Sequence, residues 1–416
     1  MDDDAITSFR IDIPDRCLSD LATRLDRTRW PADLPGDDWS YGVALRRVRE
    51  LAAYWRGRFD WRATEARLNQ FPQFTKVIDG QRIHFLHVRS PERDAFPLVL
   101  THGWPGSVAE FAEVIGPLTD PGQHGGDAAD AFDVVVPSLP GFGFSAPLRE
   151  AGWGVERTAR AWARLMARLG YARYGAQGGD WGARVSPQLA RTDPGHVAGV
   201  HVNALVALPG GTEGEMEALD ADDFAALGGL RRWSAERSGY AQIMSTRPQT
   251  LGYALDDSPA GLLAWNLEWF DDYGEHQAAI PADAILANVA LYWLTATGGS
   301  SGRIYKEAAA SWGQSAPRSQ VPTAVAVFPG DSTVRAFAER DHNVARWTRF
   351  DRGGHFAALQ APDLLVGDVR EFFRGLRLTK KSVTRPLQRA AFSSSWGGTC
   401  RKWMRSGRRK VKPIDS

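Results

Sequence analysis

The stretch Gly178-Gly-Asp180-Trp-Gly182 constrains this chain more than any other. It follows Arg173-Tyr-Gly-Ala-Gln177, which reads as a strand, and precedes a helix predicted from about Ala183. Small residues flank one polar residue two positions away on either side. That spacing permits a sharp, strained strand-to-helix turn that lifts the central side chain above a sheet. The central residue is Asp, whose carboxylate can attack a carbon centre and form an ester. The alternative is a glycine-rich helix N-cap, in which Asp180 only accepts backbone N–H bonds.

The surrounding pattern supplies the sheet. Thr75–Asp79 and Ile83–Val88 read as two strands about a tight turn. Further strands are predicted at Pro97–Leu100, Phe132–Val136, Val197–Val202, Thr323–Phe328 and Val344–Thr348. Residues 156 to 170 form an amphipathic helix, with Ala159, Trp162, Leu165, Met166 and Leu169 on one face. A last helix is predicted from about Pro362 to Leu376. Strands alternating with helices imply an α/β fold with a mostly parallel sheet covered on both faces.

Two regions break the alternation. Residues 16 to 75 read as helical, rich in Arg and Trp, with breaks at Pro31, Pro35 and Pro72. Residues 206 to 318 lack clear strands and read as a helical insertion sitting on the sheet. The domain expectation is therefore a helical segment at 1–74, core at 75–205, a helical cap at 206–318, core at 319–377 and a tail at 378–416.

Charge separates that tail from the body. The net charge is +1, yet residues 378 to 416 carry 11 Lys or Arg against the single acid Asp415, leaving the rest at −9. The tail is expected to be disordered. An acidic body does not look like a nucleic-acid binder. The 2 Cys, Cys17 and Cys400, are too far apart and too isolated for a disulfide framework or a Cys-based zinc site. No stretch is apolar for long enough to span a membrane. Met1-Asp-Asp-Asp4 lacks the basic start and apolar run of a signal peptide. No membrane anchor and a cytoplasmic location are the expectation. The 16 Trp exceed what a core needs and point to a pocket or interface.

Three further motifs stand where Asp180 would need them. Gly353-Gly-His355-Phe-Ala-Ala358 lies between the last strand and the last helix, and His355 there can deprotonate a water. Asp331, in Phe328-Pro-Gly-Asp331, lies just past a strand end, 24 residues before His355. It can accept the imidazole Nδ1–H and stabilise imidazolium; as a turn residue it would cap the following segment instead. Thr101-His102-Gly103-Trp104-Pro105-Gly106-Ser107 follows an early strand. The backbone amides of Trp104 and Trp181 are the expected pair of oxyanion donors, with His102, Gly103 and Pro105 as further site residues.

Together, His102–Ser107, Gly178–Gly182, Phe328–Asp331 and Gly353–Ala358 closely resemble the epoxide hydrolases of the α/β-hydrolase superfamily. The branch is the microsomal type, which includes the insect juvenile-hormone epoxide hydrolases. The resemblance spans roughly residues 7 to 377 and includes Arg29-Trp-Pro31 in an N-terminal segment that wraps the cap in that branch. It implies two cap tyrosines that polarise the epoxide oxygen, and the matching positions are Tyr240 and Tyr305. A phenol that stays protonated at neutral pH suits a developing alkoxide. The branch often has Glu where Asp331 stands.

The reaction implied is hydrolysis of an epoxide to a vicinal diol through an ester on Asp180, with a detoxifying role. It needs no cofactor or metal. The expected partners are a small hydrophobic epoxide and water, with no nucleic acid, and a homodimer is left open. A haloalkane dehalogenase, with Trp181 holding halide, and an inactive binding protein on the same fold are the rivals. Asp180 in place of Ser disfavours an esterase.

Overall fold

Near-continuous apolar runs form strands that must be buried on both faces. Phe96-Pro-Leu-Val-Leu-Thr101 and Phe132-Asp-Val-Val-Val-Pro137 are such runs, and they pair in the middle of the molecule. The computed structural model describes residues 5–32, 36, 39–275, 279–311 and 316–378. The expected tail lies almost wholly outside the described residues, as does Pro35.

Nine described strands form one sheet. They are β1 (Thr7–Phe9), β2 (Gln73–Ile78), β3 (Gln81–Val88), β4 (Phe96–Thr101), β5 (Phe132–Pro137), β6 (Tyr174–Gly179), β7 (Val197–Asn203), β8 (Pro322–Val327) and β9 (Asn343–Arg349). Their order is β1-β2-β3-β5-β4-β6-β7-β8-β9. The first three strands run antiparallel to their neighbours, and all pairs from β5 to β9 are parallel. This is the mostly parallel sheet expected from the alternating pattern.

Alternate residues of β4 and β5 feed two separate cores, as the period of a strand requires. Leu98, Leu100, Val134 and Val136 pack with the helix Pro362–Leu378 and its neighbours. Val99 and Val135 join the other core, which includes the helices Val155–Arg168 and Gly182–Thr192. Residues 16 to 75 are not wholly helical: β2 begins at Gln73, and β1 adds an edge strand before the first helix, Asp15–Asp26. A three-residue strand is too short to show an alternating pattern.

After an irregular start up to Gly214, every regular element in the described part of the insertion is helical. Its main helices are Ala221–Arg232, Gly239–Thr246, Pro248–Leu255, Pro259–Phe270 and Ala282–Leu294. The N-terminal helices lie on it through charged contacts. Arg47, on the helix Leu45–Gly57, forks onto the buried Asp271 with bonds of 2.6 and 3.0 Å. Tyr54 donates to Asp283 at 2.9 Å, and Arg24 pairs with Asp257 at 2.8 Å.

Candidate active site

In a parallel α/β sheet, ligands gather beyond the carboxyl ends of the strands. The expected site residues stand there. His102 follows β4, Asp180 follows β6, Asp331 follows β8 and His355 follows β9.

The turn carrying Asp180 is built by close backbone approach. A Cβ on Gly182 would lie 1.9 Å from the carbonyl oxygen of Thr101, and one on Gly178 would lie 2.5 Å from the Gly182 backbone. Only glycine fits at either position. Asp180 itself holds φ at +54°, the left-handed region that L side chains seldom occupy. Such strain persists where the surroundings over-determine it, and it clusters at functional sites.

The carboxylate is held asymmetrically. Its Oδ1 accepts the Trp104 N–H at 2.8 Å. Its Oδ2 lies 3.4 Å from His355 Nε2. The side chains of His355 and Asp180 are 22% and 19% exposed, so both open onto the adjoining cavity. Gly103 permits this arrangement, because a Cβ there would sit 2.3 Å from Asp180 Oδ1.

Asp331 stands behind the histidine, with its carboxylate held by donors other than the expected imidazole. Its Oδ2 accepts from the Ala204 amide at 3.0 Å, and its Oδ1 takes the Thr333 amide and hydroxyl at 2.8 and 2.6 Å. Among the described residues no hydrogen bond joins it to the His355 ring. The two groups interact through charge. Burial raises its proton affinity, while Thr333, Ala204 and His355 lower it. Asn203 Nδ2 donates to the His355 carbonyl at 3.4 Å and fixes the loop.

Of the other expected residues, Trp181 lines the cavity. Trp104 reaches Asp180 through its amide, while its ring forms a floor for the cap tyrosines. His102 does not line the cavity. Its Nδ1 bonds the Gly103 carbonyl at 2.9 Å and its Nε2 accepts the Leu139 amide at 3.1 Å. Burial pushes its pKa down to about 4, so the ring stays neutral and braces the loop. Gly103 and Pro105 are likewise buried within the loop, behind the cavity wall.

The insertion lowers both tyrosines onto this floor. Tyr240, on Gly239–Thr246, stacks on Trp104 with ring centroids 5.1 Å apart and planes 8° from parallel. Tyr305, on Arg303–Ala308, meets Trp181 edge-on at 4.7 Å and Tyr240 edge-on at 5.7 Å. Both phenols are buried, and burial, with the Asp180 charge adding to it, holds both well above the ordinary tyrosine pKa. They remain hydrogen-bond donors across the neutral range.

The cavity measures about 350 Å³ and opens beside Asp180, His355, Tyr240 and Tyr305. Leu205, Val206, Leu230, Trp233 and Trp269 give it apolar walls. Trp269 was not singled out in the sequence, yet it packs 4.2 Å from the His355 ring and edge-on to Tyr240. The tryptophan count signals a pocket; only packing selects which indoles line it.

Comparisons with known proteins place the chain in a family. Residues 6–111 match the family described as "Epoxide hydrolase N terminus", and residues 97–255 match "alpha/beta hydrolase fold". The chain is 46% identical over 379 residues, 89% of its length and 86% of the relative's, to a Stigmatella aurantiaca (strain DW4/3-1) protein bearing an epoxide hydrolase name. It is 34% identical over 407 residues to Epoxide hydrolase 1 of Sus scrofa, covering 89% of each chain. Among solved structures it resembles juvenile hormone epoxide hydrolase from the silkworm Bombyx mori, with a TM-score of 0.81 and 29% identity over 90% of this chain and 96% of that one. The folded body, the carboxylate–histidine pair beneath two tyrosines and these relatives lead to one assignment: the chain belongs to the epoxide hydrolases of the α/β-hydrolase fold.

Proposed function

We propose that the enzyme opens its epoxide by direct attack of Asp180 and then hydrolyses the resulting ester. The observation that carries this reading is the split environment of the Asp180 carboxylate: Oδ1 on the Trp104 amide at 2.8 Å, Oδ2 facing His355 at 3.4 Å. Oδ2, the less restrained oxygen, attacks a ring carbon. The carbon–oxygen bond of the epoxide breaks, and Tyr240 and Tyr305 hydrogen-bond the developing alkoxide. Their raised proton affinity favours sharing a proton over losing it beforehand. Oδ1 becomes the ester carbonyl, already seated on an amide donor. His355 then takes a proton from water, the hydroxide adds to the carbonyl carbon, and the Trp104 and Trp181 amides hold the oxyanion. Collapse breaks the bond between the carbonyl carbon and Oδ2, so Oδ2 leaves in the diol with the proton of the added hydroxyl, and the proton on His355 restores the tyrosine that protonated the epoxide oxygen.

The apolar walls suit a small hydrophobic epoxide. The two-step scheme is tested with His355→Gln. Attack on the epoxide needs no base, whereas water attack does, so the variant is expected to accumulate an ester of substrate mass on the peptide containing Asp180. A folded His355→Gln protein with no adduct after mixing with styrene oxide and other epoxides overturns the scheme.

A further inference from the structure

The mechanism leaves one buried carboxyl unused. Glu110 lies on the single turn Val108–Phe111, directly after the loop that carries the Trp104 amide, and is only 7% exposed. Its carboxyl is lodged inside that loop: a Cβ on Gly106 would stand 2.3 Å from Glu110 Oε2. The absence of a side chain at Gly106 is what admits it. Among the described residues no cation and no hydrogen-bond donor reaches this carboxyl.

The groups around it are all neutral or negative. Asp180, across the loop, acts on Glu110 through charge. Tyr292, on Ala282–Leu294, donates to the Gly106 carbonyl at 2.7 Å, and burial with the Asp180 charge holds its phenol well above the ordinary tyrosine range. Ser107 and Asn288 bond each other at 2.6 Å. His102 in the same loop is neutral. Asp283 is occupied with Tyr54 at the surface, and Glu113 pairs with Arg67 there. The helix Ala357–Gln360, which also packs on the turn, carries no charge.

We propose that Glu110 is a positioning residue for ester hydrolysis: its neutral carboxyl fills the oxyanion loop and keeps a second negative charge away from the carbonyl of Asp180. The inference rests on the ester scheme above. A buried carboxyl with no cation beside it keeps its proton. Burial, aided by Asp180, pushes its pKa up to about 8. The two steps of the reaction then respond differently to its ionisation. In ring opening, charge leaves Asp180, so an ionised neighbour does not oppose it. In hydrolysis, charge builds on the Asp180 carbonyl, within the loop that Glu110 occupies, and an ionised Glu110 opposes it. Esterification also removes the Asp180 charge that helps hold the proton, so Glu110 ionises more readily in the ester than in the resting enzyme.

The test measures the two steps separately by rapid mixing with styrene oxide across the range from about pH 6 to pH 10. In the wild-type enzyme the ester-decay rate is expected to fall about tenfold or more on the alkaline side of that range. Glu110→Gln keeps the shape and abolishes the charge. Its ester decay is expected to stay flat on the alkaline side, with ring opening within about twofold of wild type. An alkaline fall in Glu110→Gln matching the wild type overturns the proposal, as does an equal loss in both steps. Failure to see any ester in either protein strikes the covalent scheme instead. Infrared difference spectroscopy guards against a misfolded variant. The wild-type resting enzyme at neutral pH is expected to show a protonated carboxyl band that titrates away at alkaline pH. Asp180→Asn, which carries the neutral charge of the ester, is expected to lose that band at lower pH. Absence of the band, or no shift in Asp180→Asn, overturns the proposal.

Discussion

The floor and the roof of the active site are made by different physics. The floor is backbone: a strained Asp180, glycines whose approach leaves no room for a Cβ, and amides aimed at a carboxylate. The roof is side chains: Tyr240, Tyr305, Trp233 and Trp269 held edge to face. The floor holds the facing pair Asp180 and His355. The roof adds the two phenols and apolar wall, with Arg232, Arg237, Asp272 and Glu275 also lining the cavity. A site so divided can keep its chemistry constant while the roof changes which epoxide it accepts, because aromatic packing tolerates exchange better than a turn that admits only glycine.

That division can be broken at several points. Removing the nucleophile is expected to have the largest effect: Asp180→Asn lowers turnover by about 10⁴-fold or more while the fold persists, since no second route to an ester exists. Diol formation near the wild-type rate in that variant would show that the floor does not carry the attack. The roof follows. Tyr240→Phe and Tyr305→Phe are each expected to slow ring opening by about 10- to 100-fold, and the double variant by about 10³-fold, with ester decay nearly unchanged. Equal effects on both steps would mean that the tyrosines shape the cavity without donating to the oxygen.

Gly182→Ala probes the floor as backbone. Its Cβ would strike the Thr101 carbonyl, so the variant is expected to lose about 3 kcal/mol or more of stability, read as a drop in Tm. A neutral result would mean that the turn can open without harm. Trp269→Phe, on the roof beside His355, is expected to change turnover by less than about tenfold and to alter substrate preference more than rate.

The smallest effect concerns acid stability, far from both layers. Asp368 is buried, which alone would raise its pKa, yet His201, Arg346 and Thr348 bond it and bring it down to about 2. A folded value below the unfolded one, about 3.9, gives stability that is present above pH 4 and lost as pH falls toward 2. Asp368→Asn is expected to flatten that acid limb in a pH series of thermal melts. An unchanged limb would place the acid sensitivity elsewhere.

The floor was legible in the sequence to a degree the roof was not. The spacing of Gly178, Asp180 and Gly182 encodes a local turn, and local turns are written in neighbouring residues. The chain order of Asp180, Asp331 and His355 could be read because each follows a strand. The parallel sheet followed from the alternation of strands and helices. The orientation of Asp331 could not be read, because the Ala204 amide that claims one of its oxygens lies 127 residues away. The bracing role of His102 depends in the same way on the Leu139 amide. The tyrosine positions came from resemblance alone, since no local pattern separates Tyr240 and Tyr305 from the other 7 of the 9 tyrosines. Glu110 and Trp269 carry no motif at all; only their packing in three dimensions marks them.

The attachment of the N-terminal helices to the insertion has a consequence for how the chain is made. Arg24, Arg47 and Tyr54 meet Asp257, Asp271 and Asp283 across separations of 233, 224 and 229 residues. At a synthesis rate of about 5–20 residues per second, the helices leave the ribosome roughly 10–50 s before their partners exist. During that interval the faces that later rest on the insertion have nothing to cover them. The edge strand β1 has an earlier anchor, because β2 follows within the first hundred residues. The start of the chain can therefore be tethered to the nascent sheet early, while its helices wait for the insertion to arrive. Assembly of this enzyme is a problem of timing as well as of affinity: the first helices translated wait for partners made more than 200 residues later.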